Sequence, residues 1–342
     1  MTGVAIRGIG AVGAFGCGVE ALGTALGVGS VAPTETTFDL GGVAHRVPAF
    51  LADPAPLSGF LPTRATRRVD RFSRLALLGA QLALEDAGRP EIPPGRLGVV
   101  VCSGYGAAET TFRFLDSILD DGDGCASPTR FSNSVHNAAA AHISVLLGLT
   151  GPSLTVSQFE LSFASGLLTA SQWLAEHRVD AVLCGGVDEF GGVLGYCWER
   201  FFGLTPGTTP DPLAFDRQTA VPGEGTAFFL LAQDDGSGRH DTVERVTLGR
   251  ATAPLLSPEP GHLTVLGADG HRATAARYRA ALPPGASARA FAPCYGSFPT
   301  AQALDLAATC LTLTGAVEHA TACCLKMDGY GGYGRIDLRG VR

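Results

Sequence analysis

The sequence predicts an α/β protein built on a largely parallel, buried sheet, and three observations carry that expectation. Strand-like runs (Val4 to Ile9, Leu97 to Cys102, Leu154 to Val156, Ala181 to Cys184, Thr226 to Ala232) alternate with helical patterns (Ser73 to Ala87, Ala138 to Leu147, Ser165 to Glu176), the order of βαβ units. With 342 residues, 46% hydrophobic and only 17% charged, the chain can bury a large core, and its length suits two domains or one large duplicated unit. The stretch "GLTGPSLTVSQFELSFASGLLTA", residues 148 to 170, reads as a Gly-Pro turn, a short β-branched strand and a small-residue helix.

Each element has its own signal. In "RFSRLALLGAQLALEDAG", Leu75, Leu77, Leu78, Leu82 and Leu84 recur at near-helical spacing, and Gly88 closes the helix as a C-cap. "AAETTFRFLDSILDD" is expected to be helical, with Ala108, Thr111, Phe112 and Leu115 on one apolar stripe. "GYGAAE", 104 to 109, lacks the full GxGxxG pattern and any lysine and reads as a turn. The polar, Gly-rich "AQDDGSGRHDT", 232 to 242, marks a linker between a first part, 1–235, and a shorter second part, 243–342.

Composition excludes several function classes. The net charge of -7 is unclustered and the arginines are scattered, which argues against nucleic acid; an acidic carrier protein would need only a local basic patch. The N-terminus lacks a charged region followed by an apolar one, and no apolar run approaches the ~18 residues of a membrane span, so a soluble, cytoplasmic protein is expected. Nine cysteines without CxxC or His-paired spacing read as reduced, buried thiols. His136 and His142 lack the i,i+4 spacing of a metal pair and a third ligand, so they read as structural or interface histidines, and no metal or cofactor is expected.

At the joint between the 153–157 strand and the following helix, where many α/β enzymes mount a nucleophile, stands Glu160. A carboxylate there is either a general base or an anion set against the positive end of the helix. The structural reading is favoured, because no second titratable group lies nearby in sequence.

Four segments in order, "RRVDRFSRLALLGAQLALEDAG", "NAAAAHISVLLGLTGPSLTVS", "RVDAVLCGGVDE" and "FDRQTAVPGEGTAFFLL", together resemble the β-ketoacyl synthases, the condensing enzymes of fatty-acid and polyketide assembly. The resemblance runs from Val4 to about Ala232 and implies a thiolase-like, duplicated αβαβα layered fold with a shortened second half. That family uses a cysteine at the helix start, two histidines and a supporting lysine. Carried onto this chain, Glu160 takes the cysteine's place, and Pro293 or Cys294 takes that of the first histidine. The segment holding the second histidine and the lysine is missing. Lys326, the only lysine, sits beside "MDGYGGYG", which resembles the family's Gly-rich closing loop.

A carboxylate would form a mixed anhydride prone to hydrolysis where condensation needs a thioester, and without the histidines an enolate loses its hydrogen-bond donors. Condensation and decarboxylation both lose their support. The resemblance therefore points to a chain-length-factor-like subunit that carries no catalytic residue of its own. It would bind an active ketosynthase as a heterodimer acting on chains held by an acyl carrier protein in type II polyketide synthesis. The compact size leans toward highly reducing, polyene-forming systems. The resemblance further implies that Ser153, Leu154, Thr155, Val156 and Ser157 face the partner and that the stripe of Ala108, Thr111, Phe112 and Leu115 lines the acyl tunnel; ordinary core is the competing reading of that stripe. Other readings of the chain are a free-standing hydrolase or acyltransferase using Glu160, and a carrier-binding homodimer.

Overall fold

The computed structural model describes residues 3–205, 207–236, 238–250, 256, 261–283, 285–314 and 320–340. Its strands are β1 (Val4–Gly13), β2 (Gly16–Cys17), β3 (Thr34–Leu40), β4 (Val43–Ala49), β5 (Leu97–Cys102), β6 (Ser153–Val156), β7 (Ala181–Asp188), β8 (Gly225–Gln233), β9 (Thr242–Arg250), β10 (His262–Leu266), β11 (Thr321–Met327) and β12 (Gly332–Arg339). Hydrogen bonding links ten of them in the order β10-β11-β12-β9-β1-β8-β7-β5-β6, with β2 attached to β1, while β3 and β4 form a separate hairpin.

The expected strands and helices are all present, but the sheet is mixed rather than largely parallel. Among the described strands only β5–β6, β5–β7 and β10–β11 run parallel; β1–β8, β7–β8, β1–β9, β9–β12 and β11–β12 are antiparallel. The reason is burial on both faces. β7 is buried along its whole length and β8 along most of its own, so each reads as a continuous apolar run whichever way its neighbour points.

The strand order exposes a duplication. β9, β12, β11 and β10 repeat the neighbours and directions of β1, β8, β7 and β5. Helix Gln302–Thr314 precedes β11 as helix Ser162–Ala175 precedes β7. The counterpart of β6 is reduced to a single parallel bridge, Val265 to Arg289, which is where the second half is short.

The two equivalent helices form the central layer. Phe163, Leu167 and Leu174 of one and Leu304, Leu306 and Cys310 of the other share a core with Val100, Cys184 and Phe229 of the first half and Val265, Cys324 and Ile336 of the second. Outside the first-half strands, Leu75, Leu78 and Ile143 pack with Val99, Leu183 and Phe228. Outside the second-half strands, Tyr278 packs with Leu266, Cys323 and Leu325. Helix, strand, helix, strand, helix is the layering expected of a thiolase-like fold.

Helix Arg71–Asp86 shows how sequence sets local structure. Asp70 caps its start by accepting from Ser73 N at 3.0 Å. At its end Gly88 (φ 72) donates to Glu85 O at 2.9 Å and Arg89 donates to Leu84 O at 2.7 Å, a Schellman closure. Gly10 of β1 lies against this helix so closely that a Cβ there would stand 2.0 Å from Gly79 O.

The linker is pinned rather than loose, since His240 N donates to Ile6 O at 3.1 Å and His240 Nε2 lies 2.6 Å from Asp86 Oδ2. The cysteines are all free, but the expectation that all are buried is corrected at three: Cys125 is exposed and Cys17 and Cys197 are half-buried. Cys125 follows a surface helix and Cys197 lies on one, where the apolar content of the segment covers less than its sequence suggests. Among the described residues no helix is long and apolar enough to cross a membrane.

Two glycines test this account. Gly10→Ala forces backbone against backbone and is expected to cost about 3 kcal/mol. Gly88→Ala meets open space and pays only for left-handed geometry, about 1–2 kcal/mol. Urea unfolding midpoints should therefore fall further for Gly10→Ala; the reverse order would refute the close packing of β1 on the helix.

Candidate functional site

The joint after β6 is a tight turn, Phe159–Leu161, leading into helix Ser162–Ala175. The buried Ser162 hydroxyl organises it, accepting from Gln158 N at 2.8 Å and lying 2.7 Å from Phe159 O and 3.2 Å from Ser103 O. Phe159 is held at φ 47, a left-handed conformation that bulky side chains rarely adopt. Glu160 stands one residue before the N-cap Leu161, half-buried, and its carboxylate has no hydrogen-bond or ion-pair partner among the described residues.

Facing this turn is its second-half counterpart, Pro299–Ala301. The two halves meet through Asp188, the fully buried last residue of β7. Its Oδ1 accepts from Ser103 Oγ (2.9 Å), Gly104 N (2.9 Å) and Tyr105 N (3.0 Å). Its Oδ2 accepts from Thr300 N (3.0 Å) and Thr300 Oγ1 (2.8 Å). Burial raises the Asp188 pKa and these donors oppose the rise. Burial, with the charges of Asp188 and Glu160, also raises the Tyr105 phenol.

Lys326, buried on β11, donates to Gly267 O at 2.9 Å and lies 3.2 Å from Asp269 Oδ2. Burial opposes its charge, but Asp269, Tyr278, Asp305 and Glu160 outweigh burial and hold the ammonium above its ordinary range. Asp269 is correspondingly held low, Lys326 and His271 overcoming the effect of burial, and it accepts from Ser297 Oγ at 2.9 Å. Burial pushes Asp305 up to about 6 against the pull of Lys326 and of the Tyr295 hydroxyl, which donates to it at 2.6 Å. The lysine is therefore a fixed, neutralised cation rather than a free base.

Sequence reasoning missed this cluster. It found no titratable neighbour for Glu160 because Tyr105 and Lys326 are distant in the chain; folding brings both within electrostatic reach. The available signal was a lone lysine inside the apolar run "TACCLKM".

The stripe residues lie on helix Ala108–Asp121 as expected, but the core reading fails for two of them. Phe112 is 37% and Leu115 46% exposed, because the helix meets the short helix Pro128–Ser134 through Thr111, whose hydroxyl lies 3.2 Å from Ser134 O, and Phe114, whose ring stands 5.5 Å from that of Phe131. Ala108 and Thr111 are half-buried, and the Thr111 hydroxyl donates to Ala107 O at 2.9 Å. At the head of this helix the buried Glu189 accepts from Glu109 N at 3.0 Å, and burial pushes its pKa up to about 8. β6, residues Ser153 to Val156, is the terminal strand of the sheet; Ser153, Leu154 and Ser157 are exposed and Thr155 and Val156 half-buried.

The remaining candidates lie apart from this cluster. His142 Nε2 pairs with Asn133 Oδ1 at 3.0 Å, and burial lowers its pKa; His136 lies over Gly106. The turn expected over 104 to 109 is confined to 104–107, whose Gly104 and Tyr105 amides serve Asp188, because Ala108 and Glu109 already belong to the following helix. Cys294 lies in the core with its thiol 3.7 Å from Ala25 O, and burial pushes it up to about 11.

Known proteins agree with this architecture. Nodulation protein E of Rhizobium leguminosarum bv. trifolii is 30% identical over 236 residues, 67% of this chain and 57% of that protein. The actinorhodin polyketide putative beta-ketoacyl synthase 2 of Streptomyces coelicolor is 30% identical over 278 residues, 75% of this chain and 65% of that protein. The chain thus spans 57% to 65% of the length of these curated relatives. Among solved structures, the ishigamide ketosynthase/chain length factor is similar at TM-score 0.80 and 20% identity, with all of both chains covered. A ketosynthase in complex with its chain length factor from Xenorhabdus doucetiae is similar at TM-score 0.79 and 15% identity, covering 100% of this chain and 98% of that one. Both show the fold. The model of the beta-ketoacyl synthase N-terminal domain matches residues 4–236, and the chain belongs to the β-ketoacyl synthase family.

Proposed function

We propose that this chain is a chain-length-factor-like subunit without condensing chemistry of its own, working in the cytoplasm as the heterodimeric partner of an active ketosynthase. The observation that carries the proposal is the content of the strand-to-helix joint: an unpartnered carboxylate, Glu160, heads the helix where the family mounts its thiol. Lys326, a cation within its electrostatic reach, is already committed to Asp269 and Gly267 O. Neither group can carry an acyl thioester or abstract a proton in the manner of a thiolate paired with histidine. The partner would supply the nucleophile and the donors for the enolate, acting on chains delivered by an acyl carrier protein.

This chain would then shape the product. Phe112 and Leu115 are exposed apolar side chains, as are Phe131 and Val135 of the neighbouring helical segment, and among the described residues β6 leaves an open sheet edge. A partner covering that edge would turn the 108–115 stripe into the far wall of its tunnel. Residues 1–235 and 243–342 would act as the two ketosynthase-like halves of one subunit, in a type II polyketide system of the highly reducing, polyene-forming kind.

Three outcomes are expected. Expressed alone, the chain should aggregate or be unstable, and co-expression with its cognate ketosynthase should give a soluble heterodimer by size exclusion and mass measurement; a well-behaved monomer that ignores that partner would sink the proposal. Glu160→Gln should leave elongation by the complex within about twofold, well under the tenfold that corresponds to 1.4 kcal/mol of barrier. A collapse of product formation in an intact heterodimer would instead make Glu160 a chemical group and favour a free-standing or cooperating base. Ala108→Phe or Thr111→Phe should shorten the dominant product, and Leu115→Ala or Phe112→Ala should lengthen it. The truncations act at exposed positions and should change folding stability by only about 0.5 kcal/mol. Mass spectrometry of carrier-bound chains checks this; an unchanged length distribution in all four variants would remove the stripe from the tunnel.

A further inference from the structure

Phe159 combines two costs that a folded chain normally avoids. It is a bulky aromatic in the left-handed region, and its side chain is 57% exposed. Neither is an accident of a loose loop. The turn is fixed from both sides: Gln158 N donates to Ser162 Oγ at 2.8 Å, the Ser162 hydroxyl reaches Phe159 O at 2.7 Å and Ser103 O at 3.2 Å, and the Gln158 side chain is tied to Ser165 Oγ. The Tyr105 ring stands edge-on behind Phe159 with centroids 6.4 Å apart, supporting one side of the ring and leaving the other open.

Backbone strain of this kind persists where the surroundings impose it and gathers at ligand clamps. A rigid, outward-held aromatic is also what a binding hot spot requires, since little freedom remains to be lost on association. What would cover it follows from the chain's own course. Phe159 comes three residues after the end of β6, the strand whose outer edge has no neighbour among the described residues. The Thr155 hydroxyl on that strand is buried without a partner among the described residues. Unpaired edge amides and carbonyls are satisfied by another extended strand, so the occupant is a protein that offers a sheet edge and, next to it, an apolar hollow.

We propose that Phe159 is the anchor of the subunit interface, seated in an apolar hollow of the ketosynthase partner beside the strand that pairs with β6. This rests on the heterodimer reading above. The ring would add binding energy that the 108–115 stripe does not supply, and would do so from the turn that bears Glu160 rather than from the tunnel helix.

Phe159→Gly tests the idea, because glycine is the residue the φ of 47 favours and folding is thereby protected while the ring is lost. The purified heterodimer is diluted in steps and its dissociation followed by mass photometry, with wild type, Phe159→Gly and Phe159→Leu compared. Wild type should associate, Phe159→Gly should dissociate at concentrations at least tenfold higher, and Phe159→Leu, which keeps apolar bulk, should recover most of the loss. The circular dichroism of the Phe159→Gly complex should match wild type, with an unfolding midpoint no lower. A Phe159→Gly complex as tight as wild type within twofold overturns the anchor while leaving the heterodimer standing. A wild-type chain that never associates overturns the heterodimer reading and the anchor with it.

Discussion

Asp188 is the point on which the arrangement of the site depends. One carboxylate, buried at the end of β7, gathers the hydroxyl and amides of residues 103 to 105 on one oxygen and both donors of Thr300 on the other. The first three donors belong to the first half of the duplicated fold and the last two to the second. A buried carboxylate without such partners would carry a desolvation cost of several kcal/mol, so the five bonds and the burial sustain each other. Around this junction the two equivalent turns, Phe159–Leu161 and Pro299–Ala301, are brought face to face.

The second constraint is the cation beside that junction. Lys326 is the chain's only lysine among 25 basic residues, and it occupies a site that an arginine would not suit. Its compact ammonium meets one carbonyl and one carboxylate inside a core, with Tyr278 also donating to Gly267 O at 2.9 Å. A planar guanidinium with five donors would leave several of them unsatisfied there. The site thus keeps a positive charge in the middle of the fold while that charge is neutralised in place.

How much of this was legible in the sequence depends on the range of the interaction involved. Local signals sufficed for helix Arg71–Asp86, where Asp70 and Gly88 act within a few residues of the ends, and for the strand-to-helix joint at Glu160. Strand direction was not legible, because β7 and β8 are apolar along nearly their whole lengths and carry no mark of their neighbours' sense. The exposure of Phe112 and Leu115 was hidden for a related reason: an apolar stripe signals a face that is covered, without saying whether the cover lies in the same chain. The Lys326 cage joins β10, β11 and the 292–301 segment across tens of residues, and only the folded chain brings those groups together.

The reduced strand at Arg289 has a consequence for assembly. In the first half the sheet ends in a full strand, β6, whose outer side is bare among the described residues. In the second half the outer side of β10 is met at Val265 by Arg289, whose N donates to Thr264 O at 2.9 Å and whose carbonyl accepts from Leu266 N at 2.8 Å. Among the described residues the large sheet therefore has one bare strand edge, at β6, and at its other end an edge partly occupied by Arg289. A sheet with two bare ends can add copies indefinitely and grow into a fibre; one with a single bare end is saturated by one neighbour, and growth stops at a pair.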